Sequence, residues 1–341
     1  MSVTPLSHGE LNEILIRVQE VRVAVLGDYC LDAYWTIDLS KSELSLETGK
    51  PTRPVRHQIY HLGGAGNVAN NMVSLGCGEV YALGVMGNDP WGRELTRLLD
   101  QLEVDTADLL VQPDDCSTLV YAKPLVENGE QERLDFGNYN RLSQETAAAL
   151  LERVGARLDR VDIVVINQQV REGIHETAFR EGLLHLIRDN PEKIFMVDSR
   201  HYSEFYLGSW LKINDIEATR LCGGGRDAGD PILSEQAIES AKALYARGDR
   251  PVFVTRGGHG LVVCDQSGTR EIPGVHMKGP VDAVGAGDSM LAGIALALAA
   301  QLDATAAAQF GNLVAAVTVQ KIHQTGTATP TEIREIAHDN A

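Results

Sequence analysis

The sequence predicts an α/β fold, in which a mostly parallel central sheet is covered by helices. Two observations support this prediction: short apolar runs rich in β-branched residues recur along the chain, and stretches with helical periodicity separate them. Continuously apolar strands are buried on both faces, which is typical of parallel sheets between helical layers. The predicted strands are VRVAVLG at 21–27, VDIVVI at 161–166, IFMVD at 194–198, PVFVTRGG at 251–258 and GLVVCD at 260–265.

The covering helices are predicted from apolar residues at intervals of three and four. The stretch WGRELTRLLDQL at 91–102 places its leucines on one helical face. The stretch SEQAIESAKALYARG at 234–248 ends on a glycine that predicts a C-cap. A third stretch, MLAGIALALAA at 290–300, is too short to span a bilayer and is predicted to be a buried helix.

Two segments instead alternate apolar with polar residues: PVRHQIYHL at 54–62 and STLVYAKPLVENGEQERLDF at 117–136. The second contains ENGE at 127–130, which predicts a hairpin turn. We expect a small antiparallel β lid outside the main sheet, with strands within 34–62 and 115–138. Such a sheet covers a ligand or forms a dimer interface, and one sheet can do both. Residues 1–341 contain no repeat or long linker and are predicted to form one domain.

Charge and cysteine content exclude several classes of protein. The formal net charge of −17 repels phosphate, so neither nucleic acid nor an anionic membrane is an expected partner. The first twenty residues contain no apolar signal-peptide core, so the mature chain is expected to begin near Met1 and to be cytoplasmic. The five cysteines include no CxxC pair, which disfavours a disulfide framework and a structural zinc site.

Sequence motifs of other common nucleotide-binding sites and of hydrolases are absent or only weakly matched. The chain contains no GxxxxGK[ST], HExxH or GxSxG motif. GAGNVA at 64–69 matches G-x-G-x-x-A, but it does not follow the first buried strand directly, as a dinucleotide site requires. Phosphoryl transfer without a P-loop is the chemistry that these observations leave.

The segment VGAGDSM at 284–290 precedes the long apolar helix. If that helix begins at Ser289, residues 285–287 lie just before its first turn, where free N–H groups and the helix dipole attract anions. Asp288 would then lie beside a bound phosphate, where it can take a proton from an attacking hydroxyl. On the pattern alone, an ordinary N-cap role for Asp288 is an equal alternative. The predicted anion hole consists of Gly285, Ala286 and Gly287.

Several motifs follow one another in a fixed order. The series resembles the PfkB/ribokinase family of carbohydrate kinases from about Val21 to Thr331, and it resembles still more the kinase half of bifunctional enzymes that make ADP-heptose. The motifs are GDYCLDAYW at 27–35, GGAGNVANNMVSLG at 63–76, LGVMGNDPWGREL at 83–95, KINDIEATRL at 212–221, VTRGGHG at 254–260 and DAVGAGDSM at 282–290. The segment KSELSLETGKPTRPV at 41–55 departs from that branch next to the sugar, and no nucleotidyltransferase half follows Ala341.

The resemblance implies a ribokinase-like fold and a role for each matching residue around the sugar. Asp32, at the end of the first strand, would hydrogen-bond sugar hydroxyls through its carboxylate oxygens, with a turn cap as the alternative. Gly63, Gly64 and Asn67 would line the sugar, and a bare helix start is the alternative for them. Gln168 stands where the branch has an Asp-Tyr pair near the sugar, and it would shift the substrate preference.

On the nucleotide side, Asn214 and Glu217 match an N-x-x-E motif that the family uses to hold Mg²⁺, usually through water, beside the phosphates of ATP. On spacing alone, these two residues would more often start a capped helix. A β-turn and a helix cap are the alternatives for most of the other residues that the resemblance implies. Those residues are Thr255, Gly257 and Gly260 flanking the nucleotide, Asn312 near the adenine, and Asp282 beside a monovalent cation such as K⁺.

The resemblance implies an ATP-dependent kinase that transfers the γ-phosphoryl group to a hydroxyl of a sugar or sugar phosphate similar to heptose 7-phosphate. Asp288 would be the base, and residues 285–287 with Mg²⁺ would stabilise the phosphate charge. A kinase for a hexose, pentose or nucleoside is one alternative, and a non-catalytic sugar or nucleotide sensor on the same fold is another. A homodimer formed through the lid is the expected assembly.

Overall fold

The computed structural model describes residues 3–127, 129–171, 173–224, 232–277, 279–322 and 326–340. The strands in these ranges are β1 Arg22–Gly27, β2 Tyr29–Ile37, β3 Val55–Gly64, β4 Glu79–Gly87, β5 Asp105–Gln112, β6 Leu119–Val126, β7 Gly129–Glu130, β8 Leu134–Phe136, β9 Ile163–Gln168, β10 Ile194–Ser199, β11 Trp210–Asn214, β12 Val252–Thr255, β13 Leu261–Asp265 and β14 Gly268–Ile272. The α-helices are α1 His8–Arg17, α2 Ala65–Ser74, α3 Pro90–Gln101, α4 Gln144–Arg157, α5 Thr177–Asp189, α6 Asp215–Leu221, α7 Ser234–Gly248, α8 Ala286–Ala299, α9 Ala304–Thr318 and α10 Pro330–Asp339.

Nine strands form one large sheet in the order β14-β13-β12-β11-β10-β9-β1-β4-β5. Every pair from β5 to β12 along this order is parallel, and only the pairs that involve β13 and β14 are antiparallel. The predicted α/β class with a mostly parallel central sheet is confirmed. The β13–β14 hairpin closes one end of the sheet.

Side chains of the parallel strands alternate between two apolar cores, one on each face of the large sheet. Val23 and Val25 of β1 belong to the core that also contains Leu291 of α8. Ala24 and Leu26 belong to the second core, which α4 and α5 cover. Because both faces are buried, β1 is apolar at every position after Arg22, as the sequence pattern indicates.

Helix α8 is buried from Ser289 to Leu298, as predicted. It begins at Ala286, three residues before the predicted start at Ser289. The reason is that Gly285 takes a left-handed conformation with φ 77° and turns the chain into the helix earlier. None of the helices in the described ranges is both long enough and apolar enough to cross a membrane.

Helix α7 extends to Gly248, so the glycine predicted as a C-cap is the last helical residue. The C-cap is Asp249, which takes the left-handed conformation with φ 50°. Gly248 is needed for a different reason, since a Cβ there would lie 1.6 Å from the carbonyl oxygen of Leu207. The glycine therefore permits close backbone packing rather than a turn.

A smaller sheet, here called the lid sheet, has the order β3-β2-β6-β7, with β8 paired to β6. Its pairs are antiparallel except that β2 and β6 run parallel. Both segments predicted to form the lid contribute strands, and β2 joins them from Tyr29 onward. The predicted turn includes Asn128, which lies outside the described residues, and Val126 pairs with Gly129 on either side of it.

The parallel strands of the large sheet end at one edge, the carboxyl edge. Strands β1, β9, β10, β11 and β12 all finish there. The chain enters the lid sheet from this edge, because β2 begins at Tyr29 directly after Asp28. Ligands of open parallel sheets bind outside the carboxyl ends of the strands. The fold therefore indicates a site between this edge and the lid sheet.

Candidate functional site

Two adjoining cavities lie at the carboxyl edge. The first, the polar cavity, has a volume of about 190 Å³, and its charged lining residues are Asp198, Arg200, Lys212, Glu217 and Asp288. The second, the apolar cavity, has a volume of about 490 Å³ and is lined mostly by aliphatic side chains, together with Thr255 and Asn312. Lys212, Asn214 and Gly287 line both cavities. Groups bound in the two cavities would therefore meet beside these three residues.

Asp288 lies in the first turn of α8 and faces the polar cavity. The N-cap of this helix is Gly285, so the structure contradicts the alternative in which Asp288 is the N-cap. The Asp288 carboxylate instead accepts a hydrogen bond of 2.8 Å from Nδ2 of Asn67. Burial raises the pKa of Asp288 to about 6, although Asn67 and Lys212 act in the opposite direction. The carboxylate is thus ionised at neutral pH while remaining a stronger base than an exposed one.

The turn before α8 presents backbone N–H groups to the polar cavity, which Gly285 and Gly287 line. The N–H groups of Gly287 and Asp288 have no acceptor in the described part of the chain, whereas that of Ala286 donates to a carbonyl oxygen of the preceding turn. A Cβ at Gly287 would lie 3.1 Å from Nζ of Lys212. Free N–H groups beside an ammonium at a helix N-terminus are suited to an anion.

The two glycines at the end of β3 are required by close contacts. A Cβ at Gly63 would lie 2.7 Å from Sγ of Cys30 and 3.1 Å from Oδ2 of Asp32. A Cβ at Gly64 would lie 2.3 Å from the carbonyl oxygen of Asp28, and Gly64 is also the left-handed N-cap of α2, with φ 54°. Gly64 therefore starts a helix, as the alternative states, and Gly63 permits the close approach of the backbone to Asp32.

Asn67 lies in the first turn of α2 and is buried. Its Nδ2 donates to Asp288, and its Oδ1 accepts a hydrogen bond of 3.2 Å from Nδ2 of Asn71. The expected contact with a sugar would require the Asn67 side chain to be open to the cleft. It is instead buried and hydrogen-bonded at both amide atoms. In this structure Asn67 orients the carboxylate of Asp288 instead.

Asp32 lies within β2 of the lid sheet, not at the end of the first strand, because the chain continues from β1 into β2. Its Oδ1 lies 2.8 Å from Nζ of Lys123, which also donates to the Tyr34 hydroxyl at 3.1 Å. His61 is the partner of Asp32 on β3, and burial lowers the pKa of His61. These polar side chains can both donate hydrogen bonds to sugar hydroxyls and accept them. The position of Asp32 within a strand excludes a turn-cap role.

Gln168 does not face the cleft, which corrects its predicted place in the sugar site. It is fully buried, its Nε2 donates to the carbonyl oxygen of Val170 at 2.7 Å, and its Oε1 accepts from Oγ of Ser199 at 2.7 Å. Because side chains alternate along a strand, the preceding Asn167 points to the other face, toward α8. Both polar atoms of the Asn167 amide are buried without a partner in the described ranges. The residue of this segment that lines the polar cavity is Gln169, so sequence reasoning selected its neighbour.

A buried ion pair lies where the two cavities meet. Nζ of Lys212 is 2.6 Å from Oδ2 of Asp198. Burial lowers the pKa of Lys212, but the carboxylates of Asp198, Asp288 and Glu217 together raise it by more, so the ammonium stays charged. Sequence reasoning gave neither residue a role. Their position at the ends of buried parallel strands was the signal available for finding them.

Asn214 and Glu217 form a capping box at the start of α6. Oδ1 of Asn214 accepts from the Glu217 N–H at 2.8 Å, and the Asn214 N–H donates to Oε2 of Glu217 at 3.4 Å. The capped helix start is thus present, and both side chains also line the polar cavity. Burial and the nearby Asp198 carboxylate raise the pKa of Glu217, although Lys212 lowers it.

These oxygen donors fit a magnesium ion that keeps much of its hydration. Glu217 supplies a carboxylate, and the side-chain Oδ1 of Asn214 retains a second lone pair for a further contact. No three His, Cys, Asp or Glu side chains within the described ranges are grouped closely enough to hold a metal alone. A Mg²⁺ ion at Glu217 would therefore depend on water and on the ligand for its remaining contacts.

Three of the four residues predicted around the nucleotide line the apolar cavity: Thr255, Gly257 and Asn312. Nδ2 of Asn312 donates to the carbonyl oxygen of Pro273 at 2.8 Å, which fixes its amide. Gly260 is different, because it is buried and a Cβ there would lie 2.1 Å from the carbonyl oxygen of Ile272. Its prediction as a nucleotide contact is corrected to a packing role in the turn, where φ is 83°.

Asp282 lies in the loop that precedes α8. Its Oδ1 accepts a hydrogen bond of 3.0 Å from the Val284 N–H, and its own N–H donates to the carbonyl oxygen of Val319 at 2.7 Å. The residue therefore fixes the approach to the Gly285 turn. A monovalent cation beside Asp282 stays a prediction.

Residues 23–332 match the family model described as pfkB family carbohydrate kinase. The chain is 30% identical over 325 residues to the "Bifunctional protein HldE" of Caulobacter sp. (strain K31), with 93% of this chain and 62% of the relative covered. It is 29% identical over 324 residues to the protein of the same name from Coxiella burnetii (strain Dugway 5J108-111), with 94% and 64% covered. The chain thus spans less than two thirds of the length of these curated relatives.

Solved structures with lower identity have the same fold. The structure of phosphofructokinase-2 from Escherichia coli in complex with fructose-6-phosphate superposes with a TM-score of 0.69 at 19% identity, covering 94% of this chain and 99% of the other. The structure of Arabidopsis thaliana ribokinase complexed with ribose and ATP gives a TM-score of 0.70 at 18% identity, covering 93% and 99%. The predicted ribokinase-like architecture is confirmed.

Proposed function

The chain belongs to the pfkB family of carbohydrate kinases and is therefore a phosphotransferase, and on this premise we propose that it transfers the γ-phosphoryl group of ATP to a hydroxyl of a sugar phosphate similar to heptose 7-phosphate. Asp288 is the base in this proposal. The observation that carries it is the position of Asp288 in the polar cavity, beside the free N–H groups of the α8 turn and adjoining the apolar cavity.

The chemical step follows from this position. A sugar hydroxyl oxygen forms a bond to the γ-phosphorus, the bond from that phosphorus to the β,γ-bridging oxygen breaks, and the hydroxyl proton passes to Asp288. The N–H groups of Gly287 and Asp288 and the ammonium of Lys212 lie where the phosphoryl charge would be. Their contribution is electrostatic, because they are in place before the reaction and need no reorganisation.

The apolar cavity is the proposed nucleotide site. Its aliphatic lining suits a flat base, with Asn312 and Thr255 as polar contacts. Its shared boundary with the polar cavity would direct the phosphates of ATP toward Lys212 and Gly287. When bound, Mg²⁺ would supply charge neutralisation of these phosphates, with Asn214 and Glu217 as its protein partners. The ribokinase structure with ribose and ATP supports this choice of nucleotide.

The proposed acceptor site lies on the polar face of the lid sheet. Asp32 is close enough to the base to raise the pKa of Asp288, so a sugar bound to Asp32 would be near the reacting carboxylate. Lys123 and Arg133 are the nearby cations, and each is already paired with a carboxylate, Asp32 and Asp135 respectively. A phosphate on the sugar would compete for these cations. The similarity to the HldE proteins supports a heptose phosphate.

The substrate is tested by ADP release from Mg·ATP with a panel of sugars. The panel contains heptose 7-phosphate, fructose 6-phosphate, fructose, ribose and a nucleoside. We expect turnover with heptose 7-phosphate and little with the free sugars. Turnover with another sugar would keep the kinase mechanism and reject the substrate. ATP binding without turnover on any acceptor would favour a sensor.

The proposed assembly is a homodimer formed through the lid sheet. Ile59 of β3 is 53% exposed and points to the same face as His61, whereas the bulge at Arg56 turns Val55, which is 41% exposed, to the opposite face. Leu134 and Phe136 of β8 are exposed apolar residues of the same sheet. A second copy that covered Ile59 would also restrict water access to the acceptor site, because Ile59 and Asp32 share one face of the sheet.

A further inference from the structure

We propose that Arg200 is a further catalytic residue whose guanidinium contacts the γ-phosphoryl group of bound ATP and remains on that group during transfer. The inference rests on the proposed function. Arg200 directly follows β10 at the carboxyl edge and lines the polar cavity together with Asp288 and Lys212. No sequence motif singled it out.

The side chain of Arg200 is uncommitted. Its backbone N–H donates to the carbonyl oxygen of Gln168 at 3.0 Å, which fixes the Cα position. Its guanidinium has no hydrogen bond or ion pair within the ranges that the structure describes, and the residue is exposed. An arginine offers five N–H donors in a planar fork, so its capacity for an oxyanion is unused here. A guanidinium without a partner on a fixed backbone is suited to binding a ligand that enters the cavity.

The charges of the polar cavity explain why a second cation is needed. Among its described lining residues, Asp198, Glu217 and Asp288 are acidic, while Lys212 and Arg200 are basic. Lys212 is bound to Asp198 at 2.6 Å, which neutralises much of its charge. A phosphoryl group therefore enters a cavity in which Arg200 is the cation without a carboxylate partner. Bidentate contact with two phosphoryl oxygens would stabilise the charge that spreads over them as the group leaves ADP.

The location of Arg200 favours contact with the transferred phosphoryl group over contact with a remote phosphate of the acceptor. The polar cavity has a volume of about 190 Å³ and contains the base and the N–H groups of the α8 turn. A group that contacts Asp288 and these N–H groups together is at the reacting centre. The cations Lys123 and Arg133, by contrast, belong to the lid sheet and the segment beside it. Arg200 is thus placed at the reacting phosphorus and not at the far end of the sugar.

The test compares Arg200→Ala and Arg200→Lys with the control Arg160→Ala. Arg160 is also exposed, follows α4 and precedes β9, and so lies at the opposite edge of the sheet. The control therefore removes one positive charge without touching the polar cavity. Titration calorimetry gives the Kd of Mg·ATP and of Mg·ADP, and steady-state kinetics gives kcat with the best acceptor of the panel.

We expect Arg200→Ala to weaken ATP binding by about tenfold, to leave ADP binding within about twofold, and to lower kcat by about 10² to 10³. Arg200→Lys should recover part of kcat, because the charge returns without the planar fork. The proposal is overturned if ATP affinity and kcat match those of Arg160→Ala, or if ADP affinity falls as much as ATP affinity.

The binding measurements separate this proposal from the proposed function. If the wild-type protein binds ATP but phosphorylates no acceptor, the proposed function fails, and the ratio of ATP to ADP affinity in Arg200→Ala still decides the role of Arg200. If the wild-type protein does not bind Mg·ATP at all, both proposals are overturned.

Discussion

Neighbouring groups shift the pKa of the Asp288 carboxylate in opposite directions. Burial raises its pKa to about 6, the Asn67 hydrogen bond lowers it, Asp198 raises it and Lys212 lowers it. An exposed aspartate has a pKa near 3.9, so the raised value makes Asp288 a better proton acceptor while leaving it ionised at pH 7. The α2 helix thus contributes to the proposed chemistry through Asn67, a residue that does not touch the reacting atoms.

The pH dependence of the reaction follows from this pKa. Because Asp288 must be ionised to accept a proton, kcat/KM for the sugar should fall about tenfold per pH unit below about pH 6. In Asn67→Leu the donor that favours the carboxylate is lost, and the pKa of Asp288 should rise. The acid limb of the kcat/KM profile should therefore move to higher pH in this variant.

Asp28 is the necessary control for this profile, because burial also raises its pKa to about 6. Its carboxylate accepts hydrogen bonds from the backbone N–H groups of Gln169, Val170 and Ile174, and its side chain makes no hydrogen bond to Asn67. An acid limb that stays at the same pH in Asn67→Leu would assign the titration to a group such as Asp28 and contradict the role of Asp288.

Where a motif fixed both the residue and its backbone, the predicted residues lie around one cavity, and their roles stay predictions. Asp288, Asn214 and Glu217 line the polar cavity, as the motif-based prediction requires. Sequence reasoning failed at Gln168, because a shift of one residue along a strand reverses the face of the side chain. It also missed Asp198, which enters the site only because separate parallel strands end at the same edge. That juxtaposition is a property of the sheet and has no local signature.

At the scale of elements, the packing of α8 on α9 fixes the position of the α8 turn. The two helices approach closely at Gly293 and Gly311, where a Cβ at Gly293 would lie 2.8 Å from the Cα of Gly311. A Cβ at Gly311 would lie 2.6 Å from Cγ1 of Ile294 and 3.0 Å from the carbonyl oxygen of Met290. Any larger residue must push the helices apart, and α8 carries Asp288 in its first turn.

We expect Gly311→Ala to destabilise the protein by about 1–3 kcal/mol, because the added methyl group overpacks this contact. The change should be measured as the urea dependence of unfolding. Although alanine is the better helix former, the clash with backbone atoms of α8 outweighs its propensity. We also expect a reduced kcat, since a shift of α8 moves Asp288.

Gly155→Ala in α4 is the matched control. A Cβ at Gly155 would lie 3.8 Å from Cδ2 of Leu186, which is ordinary van der Waals contact. This variant should gain about 0.4–1 kcal/mol from the reduced conformational freedom of its unfolded chain. Equal effects of the two substitutions would contradict the close-packing account of α8 and α9.

The strands and helices were largely predictable, whereas their exact ends were not. Continuous apolar runs identified β1, β9, β10, β12 and β13, because burial on both faces leaves a clear pattern. The start of α8 was placed three residues too late, because Gly285 supplies a left-handed turn that a pattern of apolar residues does not record. The parallel pairing of β2 with β6 depends on contacts between segments distant in sequence.

At the scale of the whole molecule, the lid sheet leaves an apolar surface that the proposed dimer would cover. On the sheet face that carries Asp32 this surface is Ile59, while Val55, Leu134 and Phe136 are exposed on the opposite face. Exposed apolar groups of this kind, rimmed by polar residues, mark interaction surfaces in proteins. Because the same sheet carries Asp32 and Lys123, assembly and acceptor binding would depend on one another.

We expect light scattering during size-exclusion chromatography to give twice the chain mass of 37.0 kDa. Ile59→Asp should shift the protein toward the single-chain mass, since it places a charge in the proposed interface, and it should raise KM for the sugar. Ile16→Asp is the control, because Ile16 is 64% exposed and lies on α1, outside the lid sheet. A single-chain mass for the unmodified protein would contradict the dimer.

The central claim is that Asp288 removes the proton from the acceptor hydroxyl during phosphoryl transfer. The most direct test is kcat for Asp288→Asn with the best acceptor of the panel, together with the Kd of Mg·ATP. Asp159→Asn, an exposed aspartate that follows α4 far from the carboxyl edge, is the control for loss of one negative charge. Because general base catalysis contributes about 10² to 10⁴ in rate, kcat should fall by that factor while the Kd of Mg·ATP changes by less than about threefold. Turnover by Asp288→Asn close to that of Asp159→Asn would contradict the claim.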